Sequence, residues 1–336
     1  MTLRFSRVSK IAIAVYLCAI GHSIFAQQKP QWMPGQMGLN AGIVPQPGIT
    51  YVNITVNYDA AAFNGPAGNP IPVTGTYNVW AVENIFMFVP GQKFLHGNIA
   101  GMFIYPTPAT GSLDADIPNP ALPDLSAAAG GSGVADLFIQ PIGLGWHFSR
   151  ADFQLSDGVF IPTGRYSPGA SNNVGMGYFG NHLMSGWTLY ITKNKGTSGN
   201  LFTDWEVHGS RAGTNGTSKT PGQAFTDEWG LGQVLPLNKK MTQLVQVGGI
   251  GYDQWQVTAN GGTFALGPLI LPASQIPAYA VHAAGGQLNY IAPTKNLVLN
   301  FKYEHEYRAF AHTIGNTIVF GGSWTWQHPK ATAATP

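Results

Sequence analysis

Two stretches of this chain carry ionisable side chains at a spacing that could do chemistry. LFTDWEVHG at 201–209 places Asp204, Glu206 and His208 at every second position, and NLVLNFKYEHEYRAF at 296–310 does the same with Lys302, Glu304, Glu306 and Arg308. Successive residues of a strand point to opposite faces, so each set shares one face if these segments are extended. Asp204 with His208 would offer an acid and a base near one rim, but no second acidic pair accompanies them, and the pair is not assigned as catalytic. NHLMS at 181–185 brings His182 near Ser185, yet a spacing of three sends the two to opposite faces and forbids a nucleophile–base bond within the strand. In EHE, His305 faces away from both glutamates, and LDADIPNP lacks the oxygen-ligand spacing of a calcium loop. No catalytic residue, no metal site and no cofactor is expected.

The elements that position these residues have to suit an unusual composition. The first ten residues supply Arg4, Arg7 and Lys10, IAIAVYLCAI follows as an apolar run, and the small Ala26 precedes QQKP. That is the pattern of a secretory signal peptide over residues 1–26, too short in its apolar part for a spanning helix. Its removal takes three of the 17 basic residues and leaves 14 against 15 acidic ones, a net charge near −1. A nucleic-acid partner is therefore not expected. The one cysteine, Cys18, falls in the signal, so the exported chain has no disulfide.

Charged residues make up 10% of the chain, against about 25% in ordinary soluble domains. No segment after the leader approaches ~18 consecutive apolar residues, so no spanning helix is expected there either. An exported, charge-poor, glycine-rich chain can instead hide a membrane surface in alternation, as transmembrane β-barrels do. GITYVNITVNYD is the first alternating stretch, with Val52, Ile54, Val56 and Tyr58 on one face and Tyr51, Asn53, Thr55 and Asn57 on the other. Eleven more fall at about 76–89, 98–106, 133–148, 151–161, 181–193, 201–208, 223–235, 243–258, 278–291, 296–309 and 315–326. Short links follow the even strands. Long Gly, Pro and Asn stretches, at about 59–75, 107–132, 162–180, 209–222 and 259–277, follow the odd ones up to the ninth. This alternation suits an all-β, antiparallel up-and-down transmembrane barrel of about twelve strands, of outer-membrane type, over 48–326. A secreted β-sandwich competes, but its strands are usually about 5–6 residues long.

In such a wall Leu297, Leu299, Phe301 and Tyr303 face lipid while Lys302, Glu304, Glu306 and Arg308 face the bore. The reverse would cost up to ~2–4 kcal/mol for each midplane Lys or Arg. By the same rule Leu201, Trp205 and Val207 face out and Asp204, Glu206 and His208 face in. Tyr58, Trp255 and Tyr307 fall toward the outer ends of strands and Trp324 and Trp326 at an inner end, as interfacial girdles require; Trp229 does not fit.

Motifs along most of the mature chain resemble the outer-membrane proteins of the MetA-pathway of phenol degradation family, in its SphA-like subgroup. They are PGQMGLNAGIVPQPGITYVN near the mature start, ENIFMFVP at 83–90 and ADLFIQPIGLGWHF at 135–148, then IPTGRYSPGASNNVGMGYFGNHLMSG at 161–186 and TKNKGTSGNLFTDWEVHG at 192–209, and finally PGQAFTDEWGLGQ at 221–233 and GYDQWQVT at 251–258. The resemblance implies a barrel in the outer membrane of a Gram-negative bacterium that admits aromatic or other poorly soluble compounds. Gly321, Trp324 and Trp326 resemble the signal read by barrel-assembly machinery, although such signals normally end the protein and here a tail, 327–336, follows.

The expected lining of the bore is Glu83, Asp136, Asp204, Glu206, His208, Glu228, Tyr252, Gln254, Lys302, Glu304, Glu306 and Arg308, either a selective pore surface or a bracing polar network. Residues 27–47 precede the first strand and are long enough to fold back as a plug, with Trp32, Met33, Met37 and Leu39 as apolar contacts; a periplasmic tail is the alternative. The loop at 107–132 either dips inward or stays outside. The function expected is passive uptake of small hydrophobic or aromatic solutes by a monomer whose partners are outer-membrane lipids, those solutes and the assembly machinery. A closed structural or surface barrel and an outer-membrane hydrolase are the competing classes.

Overall fold

The computed structural model describes residues 30–117 and 125–327; the expected signal peptide, residues 27–29, the loop tip at 118–124 and the tail from 328 onward lie outside the described residues. Twelve strands make the wall. They are β1 (Gly48–Asn64), β2 (Thr74–Val89), β3 (Gly97–Ile117), β4 (Leu137–His147), β5 (Ala151–Ile161) and β6 (Gly180–Tyr190), then β7 (Thr197–His208), β8 (Ala224–Pro236), β9 (Leu244–Gln256), β10 (Ala280–Ala292), β11 (Leu297–Phe310) and β12 (His312–Gln327). Each pairs antiparallel with the next, and β1 pairs with β12 from Gly48↔Gln327 to Asn64↔His312, so the sheet closes on itself. With at least 11 residues each, the strands meet the ~9–11 that a tilted span needs.

The long connections lie at one end and carry structure of their own. Above the wall β3 continues and pairs with Leu125–Gly133, from Ala109↔Gly133 to Ile117↔Leu125. Most of the segment expected as an irregular loop at 107–132 is therefore a β-ribbon. Four short strands, Arg211–Ala212, Ser218–Thr220, Gly261–Leu266 and Leu269–Pro272, form a separate small sheet.

The partition on β11 is the one that the charges demand. Lys302, Glu304 and Glu306 are 1–2% exposed, whereas Leu299, Phe301 and Tyr303 are 39–46% exposed on the outer surface. On β7, Asp204, Glu206 and His208 are buried, and Leu201, Trp205 and Val207 are exposed. Trp324 and Trp326 are exposed as well, as a girdle at the inner end of β12 requires.

Two expectations about facing are corrected. Arg308 lies outside the wall. The register of β10 against β11 steps from Ala283↔Glu306 to His282↔Arg308, so Tyr307 is an extra, unopposed residue. This bulge puts Tyr307 and Arg308 both on the exterior. There the Arg308 guanidinium sits 4.8 Å from the centre of the Phe310 ring. The second correction is β1, which turns its apolar face inward. Ile54, Val56 and Tyr58 are buried, while Tyr51, Asn53, Thr55 and Asn57 face outward. Tyr58 therefore leaves the outer girdle; its hydroxyl donates to Glu306 Oε2 at 2.7 Å. The outward Asn53 and Tyr51 satisfy one another and Asn84, with Tyr51 Oη donating to Asn84 Oδ1 at 2.7 Å. The physical reason lies inside: Ile54 and Val56 belong to one apolar cluster with Trp32, Ile85, Phe138 and Phe202, joined by Met33 and Met37. Where the bore is as greasy as the bilayer, solvent no longer chooses the face.

Candidate functional site

Residues 30–47 have no regular structure, so their backbone groups need partners from elsewhere. The inward side chains of the wall provide them. Glu206 accepts from Gln31 N at 2.8 Å and Trp32 N at 3.3 Å. Glu228 accepts three bonds: Trp32 Nε1 at 2.9 Å, Met37 N at 2.7 Å and Gly38 N at 3.3 Å. Further along, Leu39 N donates to Gln287, Asn40 N to Asn200 and Gly42 N to Thr188, at 2.9–3.0 Å. The carbonyls are held too: Lys302 Nζ donates to Gly35 O at 3.1 Å and also to Gln36 O, and Gln254 Nε2 donates to Trp32 O at 3.3 Å. The segment runs inside the bore from the level of Glu206, near the end with long connections, to Gly48 at the opposite end. Irregular backbone at membrane depth is tolerated where protein surrounds it in this way.

Tight fits fix its course. Gly35 has φ +88°, and a Cβ there would lie 2.2 Å from Glu304 Oε2. Leu39 is buried over a floor of Gly230, Gly232 and Gly248, where a Cβ on any of the three would come within 3.0 Å of its methyl groups. Trp32 is buried against Phe202, ring centres 5.3 Å apart. Met37 packs half-buried in the same cluster.

The other expected lining residues also face inward. Glu83 accepts from Gln36 Nε2 at 3.1 Å. Tyr252 Oη donates to Glu306 Oε1 at 2.9 Å, and Gln254 Nε2 to Thr226 Oγ1 at 2.9 Å. Asp204 and His208 do not meet each other. Asp204 Oδ2 lies 2.8 Å from His182 Nδ1, and His208 Nε2 lies 3.1 Å from Glu206 Oε2. Asp136 stands just before β4 and holds the 162–180 connection, accepting from Gly164 N at 2.9 Å and Met176 N at 2.7 Å. Burial pushes its carboxyl up to about 6, against the lowering effect of those two amides. Sequence reasoning missed His182, Thr188, Asn200, Gln246 and Gln287, all buried and inward. Strand parity puts each on the inward face once its strand is oriented, and the register then sets His182 across from Glu206 between β6 and β7.

Beside the segment lie two cavities of about 70 Å³ each. The first is walled by Trp32, Met33, Tyr58, Tyr77, Tyr252 and His312, and the second by Met33, Ile104, Phe160, Val174 and Met176. Gln31, Trp32, Met33 and Met176 border both.

A closed antiparallel wall, apolar without and carboxylate-lined within, defines a transmembrane barrel of outer-membrane type, located in the outer membrane of a Gram-negative bacterium. An outer membrane channel from Pseudomonas putida F1 shares this fold with a TM-score of 0.65 at 12% identity, covering 88% of this chain and 100% of that one. The β domain of a Bordetella autotransporter gives a TM-score of 0.50 at 10% identity, over 84% and 100% of the two chains. No curated protein matches the chain. The chain belongs to the MetA-pathway of phenol degradation family, whose model matches residues 60–320.

Proposed function

We propose that the protein is a channel for the passive uptake of small hydrophobic or aromatic compounds, with residues 30–47, the described part of the segment before β1, serving as a lumenal plug. The observation that carries this reading is the pair of mainly apolar cavities that share Gln31, Trp32, Met33 and Met176 as a common wall. An apolar cavity of about 150 Å³ accepts benzene, so neither space alone takes a ring, while the two joined nearly do. Methionine is the side chain best suited to such a partition, because its three rotatable bonds let it move aside without breaking a hydrogen bond. The family's link to phenol degradation and the channel fold agree with this substrate class. The inward carboxylates are read as the anchors of the plug, and the protein is read as no enzyme. Ser185 Oγ bonds Thr203 Oγ1 at 2.8 Å on the face opposite the buried His182.

One observation favours the closed structural barrel instead: the segment is bonded to the wall along its length. Uptake of radiolabelled phenol and toluene by cells expressing the protein separates the two. Met33→Ala should raise the uptake rate and Met33→Trp should lower it. Uptake equal to that of cells lacking the protein, with the barrel folded in the membrane, would favour the closed wall.

A further inference from the structure

The bore holds a cluster that the channel reading does not use. His182 on β6 stands directly across from Glu206 on β7. Its Nδ1 meets Asp204 Oδ2 at 2.8 Å; in the neutral ring that contact holds the proton on Nδ1 and leaves a lone pair on Nε2. That Nε2 is buried, has no hydrogen-bond partner, and lies 3.9 Å from Glu206 Oε2. Asp204 Oδ1 is likewise buried without a partner.

A third unpartnered acceptor comes from the N-terminal segment. Gln31 Nε2 donates to Tyr178 O at 3.1 Å, which turns Oε1 the other way, where it too is buried without a partner. Gly180 marks its position: a Cβ there would lie 1.6 Å from Gln31 Oε1 and 3.3 Å from His182 Nε2. One donor atom from each of His182, Asp204 and Glu206 falls within 4.8 Å of the other two, and all three residues are buried. A second imidazole, His208, gives its Nδ1 to Gly222 O at 2.9 Å and approaches Glu206 Oε2 with Nε2 at 3.1 Å. An imidazole nitrogen, carboxylate oxygens and an amide oxygen thus converge around one buried spot. The wall's buried lysine, Lys302, is committed to segment carbonyls at Gly35 and Gln36.

We propose that His182 Nε2, Glu206 Oε2 and Gln31 Oε1 bind a divalent first-row transition ion of the zinc class, with Asp204 holding the imidazole from behind as a positioning residue. Two ligand atoms each ~2.1 Å from one ion can stand up to ~4.2 Å apart, so the 3.9 Å between Nε2 and Oε2 admits the ion between them. Imidazole with oxygen ligands suits zinc and its neighbours better than calcium or magnesium. A carboxylate on the far ring nitrogen is the usual support for a metal-bound histidine. Such an ion joins β6, β7 and the start of the described segment at one point.

The test uses tag-free, full-length protein folded in detergent and titrated with Co²⁺, whose visible ligand-field bands report coordination. The expected result is one equivalent of Co²⁺, displaced by Zn²⁺, lost in His182→Gln and Glu206→Gln, and kept in the outward-facing control His305→Gln. Asp204→Asn should weaken binding by about 10–100-fold. Folding of each variant is checked by the heat-dependent shift on a denaturing gel. Should the wall variants fail to fold, Gln31→Ala, which leaves the wall intact, decides: a loss of Co²⁺ affinity supports the site and unchanged affinity overturns it. Absence of Co²⁺ uptake by the folded wild type would mean that the cluster is satisfied by protons on the imidazoles alone, and would overturn the proposal.

Discussion

Glu228→Gln is the sharpest probe of the proposed plug. The carboxylate takes the Trp32 indole on Oε1 and two backbone amides on Oε2. An amide in its place keeps one oxygen and turns an NH₂ toward donors, so the indole bond or the amide pair is lost and two donors face each other. Hydrogen bonds to a charged group contribute about 1.5–3 kcal/mol each, and losing one to two of them shifts the segment by about 3 kcal/mol toward release. At 1.4 kcal/mol per tenfold, that is roughly a hundredfold rise in the fraction of time that the segment is out. The assay is maleimide labelling of Met33→Cys in a chain whose Cys18 is replaced, read alongside single-channel conductance in planar bilayers. Labelling should accelerate by about that factor and opening events should become frequent. Glu83→Gln, where one side-chain bond at 3.1 Å is at stake, should change either readout far less. Equal labelling rates in wild type and Glu228→Gln would refute the claim that this carboxylate holds the segment.

Gly35→Ala should act in the same direction, because its Cβ would enter the space of Glu304 Oε2 at 2.2 Å from a backbone with φ +88°; faster hydrogen exchange at residues 31–42 with an unchanged wall is the expected pattern. Asp136→Ala strips partners from the buried amides of Gly164 and Met176, at about 1–3 kcal/mol each, and should expose the 162–180 connection to proteases while the barrel stays intact. Arg308→Ala, outside the wall over Phe310, should leave conductance and ion selectivity unchanged, whereas Lys302→Met, which frees the Gly35 and Gln36 carbonyls, should raise conductance.

The strand pattern was legible wherever the two faces of a strand meet different solvents. On β11, lysine and glutamates alternate with leucine and aromatics, and only one orientation keeps the charges out of lipid; the same contrast orients β7. β1 shows the limit of that logic. Its lumenal neighbours are Trp32, Met33 and Met37, so Ile54 and Val56 are welcome on either side, and the outward asparagines satisfy one another. Arg308 was misread because a bulge inserts one residue without altering the local composition, and a single inserted residue inverts every facing beyond it. His182 escaped because its face continues with Met184 and Gly186, which look like core; its importance appears only when the register sets it across from Glu206. Asp136 was expected in the lining, and its work of anchoring a loop depends on Gly164 and Met176, which lie 28 and 40 residues further along the chain.

The bonding of the segment also constrains how a greasy solute could pass under the proposed function. Full withdrawal of residues 30–47 would strip Glu206 and Glu228 of their amide donors, and a buried charge left without partners costs several kcal/mol. Water can repay that cost, but an apolar molecule cannot. Displacing Met33 breaks no hydrogen bond made by its side chain and joins two cavities that already exist. Solutes of one aromatic ring should therefore move past a seated segment by side-chain motion, whereas ions need the segment itself to leave. The two routes separate experimentally: Met33→Ala should raise aromatic uptake with little change in ion conductance, and Glu228→Gln should raise ion conductance. If both variants moved both readouts in step, a single shared gate would replace this division.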